Sequence, residues 1–140
     1  MAGFLAQGTS IKLIDGNEQL VEQLHVDDDI LTYDFESNRV IFAKIVRIEK
    51  KESSQGIRIR ALDYEITCSP ETEFFTESTS TGIVAAKDIK EGDTVLYFDL
   101  FSPVVGTVET VEKRTEPHTF YALTISDYGN VIGNNLVMKC

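Results

Sequence analysis

Tryptophan is absent from this chain, and cysteine and histidine occur only twice each. Two cysteines, Cys68 and Cys140, make no disulfide framework, and a chain of 140 residues is long enough to bury a core without one. Basic residues are scarce as well, with 13 Lys and Arg against 23 Asp and Glu and a formal net charge of −10. That balance excludes a phosphate backbone as the main partner, because nucleic-acid binding rests on clustered cations. No run reaches the roughly 18 to 20 apolar residues of a membrane span. The opening "MAGFLAQGTS" lacks the charged start and the apolar stretch of an export signal. His25 and His118 have no cysteine at metal-ligand spacing and read as solvated loop residues. The acidic run Asp27 to Asp29 lacks the alternating ligands of a calcium loop. These absences predict a monomer in a reducing, cytoplasmic setting, with no metal, cofactor, nucleic acid or membrane.

What the chain does have is short apolar, β-branched runs: "TSIKLI", "RVIFAKIVRIE", "GIRIRAL", "YEITC", "TVLYF", "TFYALTI" and "NLVM". Turn chemistry separates them, as at Asp15-Gly16, Ser37-Asn38 and Glu91-Gly92-Asp93. The pattern predicts an all-β fold whose helical content is limited to single turns near Val21 to Leu24 and Ala85 to Asp88. In "GIRIRAL" the alternation puts Ile57, Ile59 and Ala61 on a buried face and Arg58 and Arg60 on a solvated one. The chain also repeats itself. "LHVDDDILTYDF" from Leu24 lies over "IKEGDTVLYFDL" from Ile89 at an offset of 65, and "IVRIEKK" from Ile45 lies over "VETVEKR" from Val108 at 63. The second copy should therefore have a hairpin shorter by two residues, and the two copies should share a core about a pseudo-two-fold axis.

Three separated motifs carry a family resemblance over nearly the whole chain. The opening "GFLAQGTSIKLIDGNEQLVEQLHVDDDILTYD", the middle "ITCSPETEFFT" and the end "FYALTISDYGNVIGNNLVMKC" resemble, in that order, the motifs of Hint domains. That fold is shared by inteins, bacterial intein-like domains and the Hedgehog autoprocessing domain. The resemblance implies one Hint-type, horseshoe-like β domain over residues 1 to 140, with internal duplication, adjacent termini and no endonuclease insertion. Its partners would be flanking host segments in cis.

The resemblance also assigns site positions, most of them substituted. The family's first residue, a Cys or Ser that attacks the preceding peptide bond, falls on Gly3, or less well on Ala2, and neither is a nucleophile. The central Thr and His fall on Ser69 and Thr72, and a threonine cannot deliver a proton at neutral pH. The penultimate His and the terminal Asn, whose carboxamide closes a succinimide, fall on Met138 and Lys139. Asp127 and Cys140 match the junction Asp and the downstream nucleophile. Outside the resemblance, Asp127 reads as a turn residue, Cys68 as a small buried apolar group, "TCSPET" as a strand end with a Ser-Pro turn, and Cys140 as an exposed thiol. The resulting expectation is a Hint domain inactive or impaired in splicing, by drift or by design. Open beside it stand residual self-cleavage dependent on Cys140, and a structural or interaction module in a larger protein. An unrelated small β-barrel is a further option, and it would show no symmetry relating Ile30 to Val95.

Overall fold

The computed structural model describes residues 3–126 and 129–140. Its strands, in chain order, are β1 (Leu5–Ala6), β2 (Ser10–Lys12), β3 (Glu18–Leu20), β4 (Asp29–Asp34), β5 (Arg39–Ser53), β6 (Gly56–Ala61) and β7 (Tyr64–Cys68). They continue with β8 (Glu73–Phe75), β9 (Ile83–Ala85), β10 (Thr94–Asp99), β11 (Ser102–Arg114), β12 (His118–Ile125), β13 (Asn130–Gly133) and β14 (Leu136–Lys139). Two single 3-10 turns, Val21–Gln23 and Ala86–Asp88, are the helical content among the described residues. Pairing is antiparallel throughout, in the order β3-β2-β13-β14-β10-β11-β6-β7-β1-β12-β5-β4, with β8 and β9 attached to β14.

The duplication expected from the sequence is present bond for bond. In the first copy the His25 N–H donates to the Asp28 carboxylate at 2.8 Å, and 65 residues on the Lys90 N–H donates to the Asp93 carboxylate at 2.9 Å. Asp27 and Gly92 both take a left-handed φ, 78° and 89°, and their N–H groups donate to Ile45 and Val108 respectively. A left-handed residue is therefore required at this turn, which glycine supplies without strain and aspartate tolerates. The long strands behave alike. β5 pairs first with β4 and then with β12, and β11 pairs first with β10 and then with β6; the change of partner falls at Ile45 and at Val108. The first hairpin closes from Asp34 to Arg39 and the second from Asp99 to Ser102, so the second is shorter by two residues as expected.

Ile30 and Val95 occupy matching register positions, opposite Ala43 and Gly106, and both are fully buried. That symmetry removes the unrelated barrel. The two copies share one cluster that also holds Ile11, Ile45, Ile59, Ile66, Phe74 and Leu136. Ile57, Ile59 and Ala61 of β6 face it, while Arg60 is exposed and Arg58 reaches Glu65 at 3.3 Å and Glu112 at 3.8 Å on the other face. Alternation of this kind stabilises the sheet mainly through the burial of the isoleucines.

Candidate functional site

The short strand β1 is inserted between β7 and β12, with Leu5 opposite both Cys68 and Tyr121. This insertion brings the start of the chain beside the Ser-Pro turn that follows β7. The Phe4 N–H donates to Ser69 Oγ at 3.1 Å, and the Ser69 N–H donates back to the Phe4 carbonyl at 2.8 Å. Ser69 Oγ and Thr72 Oγ1 are 2.9 Å apart, and the Thr72 hydroxyl donates to the Phe4 carbonyl at 3.3 Å. A threonine hydroxyl has one hydrogen, so Ser69 is the donor between the two side chains. The bonds close into a ring: Phe4 N–H to Ser69, Ser69 to Thr72, Thr72 to Phe4 carbonyl. Both hydroxyls are buried, and both protons are committed within the ring.

Gly3 meets this ring without a gap. A Cβ at position 3 would run into Thr72 Oγ1 and lie 2.5 Å from both the Cα and the Cβ of Thr72. A side chain of any kind at position 3, a nucleophile included, needs space that Thr72 fills. On the opposite wall β14 enters from the sheet, with Met138 opposite Val131 and Phe74 and Lys139 opposite Asn130. Gly3, Thr72, Met138, Lys139 and Cys140 line one crevice of about 10 Å³, hardly space for a single water. Met138 is buried and points into the core, whereas Lys139 is exposed. Five of the seven positions singled out in the sequence thus converge, and Ser69 joins them through Thr72. Asp127 lies outside the described residues.

The two thiols differ from one another and from expectation. Cys68 is fully buried, as read from the sequence, and burial raises its pKa from 9.0 to about 12. Cys140 is not the exposed thiol expected: it is half-buried, its Sγ donates to the Leu123 carbonyl at 2.7 Å, and burial raises its pKa to about 11. At neutral pH both are protonated, whereas the attacking species is the thiolate. His25 is exposed as expected, but His118 is not a loop residue. It opens β12, stacks on Phe120 at 5.4 Å between ring centroids, and its Nδ1 is buried without a hydrogen bond. Among the described residues no His, Cys, Asp and Glu group is placed to hold a metal ion, and no helix is long and apolar enough to cross a membrane.

No family model matches the sequence, and no curated protein matches it. Solved structures do match. The solution structure of a bacterial intein-like domain from Clostridium thermocellum superposes with a TM-score of 0.84 at 19% identity, covering 100% of this chain and 99% of that one. A DnaB intein from Synechocystis gives 0.88 at 14% identity, with 99% of each chain covered. The TvoVMA intein gives 0.84 at 19% identity, covering 98% of this chain and 97% of that one. The chain has the Hint fold.

Within this Hint fold, one residue beside the crevice was read in the sequence only as part of the closing motif. Asn130 is fully buried opposite Lys139, and its carboxamide clips β13 to β4. Oδ1 accepts from the Tyr33 N–H at 2.9 Å and the Thr32 hydroxyl at 2.9 Å, and Nδ2 donates to the Tyr33 carbonyl at 2.8 Å. Sequence alone could not have found this role, because the partners are 97 and 98 positions away.

Proposed function

We propose that this chain is an intein-like Hint domain over residues 1 to 140, without an endonuclease insertion, which retains the fold of protein splicing and has lost the reaction. Its partners are the host segments that flank it in cis, and it acts as a monomer in the reducing cytoplasm without cofactor, metal, nucleic acid or membrane. The observation that carries the reading is the closed ring of Phe4, Ser69 and Thr72, with Thr72 packed into the space a side chain at position 3 would need. Gly3 supplies no nucleophile. The hydroxyls at the central positions have no free proton to give a departing amide, and each lost general acid or base is worth about 10²- to 10⁴-fold. Lys139 has no carboxamide with which to close a succinimide, and Met138 has no transferable proton. Residual cleavage through Cys140 is opposed by a thiol held protonated against the Leu123 carbonyl.

The experiment is to express residues Gly3 to Cys140 between two unrelated folded flanks and follow intact mass with and without added thiol. One species at the unprocessed mass is expected at all times. Ligated flanks, or a released flank, would show that the site positions have been assigned wrongly.

A further inference from the structure

The β10–β11 hairpin ends in two residues, Leu100 and Phe101, that are 80% and 78% exposed. Leu100 sits at φ 56°, at the first position of a two-residue turn, where hairpins place glycine. Neither its turn preference nor its hydrophobicity is served there, and residues that defy both local and solvent preference are expected at functional or strained sites. The tip lines a groove of about 570 Å³ together with Phe98, Val40, Tyr64 and the exposed Ile14. It shares no lining residue with the crevice at Gly3.

The charged side chains around this groove are acidic except for Lys12, whose ammonium lies 6.0 Å from the centroid of the Phe98 ring. Asp15 and Asp99 line it, and a second hollow that shares Tyr64 and Asn135 with it is lined by Asp63, by Glu18 and by Glu65, the last paired with Arg58 at 3.3 Å. The one cation in the groove wall, Lys12, is already paired with Glu18 at 3.6 Å. Asp15, Asp63 and Asp99 have no ion pair among the described residues. An apolar slot that runs into unneutralised acid is complementary to a bulky apolar side chain followed by Lys or Arg. We infer that the face around Leu100 and Phe101 docks a peptide segment of a protein partner that presents a large apolar residue beside basic ones. A second copy of this chain fits worse, because its own acidic face would meet this one.

The test is a random nine-residue peptide library selected on the whole chain and counter-selected on the Leu100→Gly/Phe101→Asn variant. Gly-Asn suits this turn better than Leu-Phe, so the variant is expected to keep or raise the urea midpoint. Enriched peptides are expected to carry a large apolar residue next to Lys or Arg. Fluorescence anisotropy of a labelled enriched peptide should show about tenfold or greater loss of affinity in the tip variant. It should also show several-fold weakening in an Asp63→Asn/Asp99→Asn variant, an effect that high salt suppresses. No enrichment over the counter-selected variant, or enriched peptides without basic residues, would overturn the proposal. So would a lowered urea midpoint of the tip variant, which would make the two side chains structural. Sedimentation showing a dimer that the tip variant dissolves would also overturn it, by assigning the face to a second copy.

Discussion

Replacing Gly3 by alanine adds one methyl group at the most crowded point of the crevice. The new Cβ would stand 2.5 Å from the Thr72 Cα, a backbone atom that a rotamer change cannot move. Thr72 is itself held by its N–H to the Ser69 carbonyl at 3.1 Å and by the Ala86 N–H on its own carbonyl at 2.7 Å. The segment at positions 3 and 4 must therefore give way, which loosens the Phe4 N–H bond to Ser69 Oγ. Overpacking of this kind costs about 1–3 kcal/mol, and the hydrogen bond adds about 1. At 140 residues each kcal/mol lowers Tm by about 3–5 °C, so a fall of about 6–20 °C is expected in thermal unfolding followed by circular dichroism. Lys139→Ala, on the exposed side of the same crevice, is the control and should stay within about 0.5 kcal/mol of the parent. A Thr72→Ala background should relieve less than half of the cost, because the clash with the backbone of residue 72 survives truncation of its side chain. A Gly3→Ala protein melting within about 2 °C of the parent would refute the packing argument, and with it the claim that position 3 is closed to a nucleophile.

The thiols predict a pH dependence. In the folded protein Cys68 keeps its proton to about 12 and Cys140 to about 11, while the unfolded chain releases both near 9.0. The unfolded state therefore binds fewer protons above pH 9, and this contribution to stability, complete below that pH, is lost as pH rises towards 11 and 12. Urea midpoints measured from pH 8 to 11 should fall, and a Cys140→Ala variant should fall less steeply. At pH 8 a thiol reagent should modify native Cys140 about 100-fold more slowly than an unfolded thiol, and Cys68 more slowly still, with both reacting at once in guanidinium. The duplication predicts matched caps. Asp28→Ala and Asp93→Ala each remove a carboxylate that accepts a backbone N–H at the same place in the repeat, and each should cost about 1 kcal/mol in urea unfolding. A cost at one site alone would mean that the two copies are alike in shape only.

The repeat was legible because its determinants are local. An aspartate that binds the N–H three residues before it, a left-handed turn residue and an alternating strand are all written within about twelve consecutive positions. Strands β8 and β9 were not legible, since each is three residues long and pairs off the main path. β13 was also missed, because all four of its residues are buried and give no alternation to read. His118 was misplaced because the lack of metal-ligand spacing says nothing of strand or loop; it begins β12, directly after Pro117. The candidate site divides the same way. Its members could be named from motif order, but the hydroxyl ring could not, because its bonds join residues 65 and 68 positions apart.

On the proposed reading, the ring would account for a fold that persists without the chemistry. A splicing centre needs groups that are partly unsatisfied in the resting state, so that a nucleophile can attack and a proton can be delivered, and such groups store strain or unmet hydrogen bonds. Here every polar atom of Phe4, Ser69 and Thr72 that could serve that purpose is matched to another within the ring. Glycine at position 3 and threonine at position 72 are complementary in volume as well, so they form one packed unit. It follows that Gly3→Cys alone should destabilise the chain before it supplies any reactivity, and that a nucleophile fits at position 3 only if the backbone there shifts away from residue 72 as well. Any side chain introduced at position 3 therefore meets a barrier of packing as well as of chemistry.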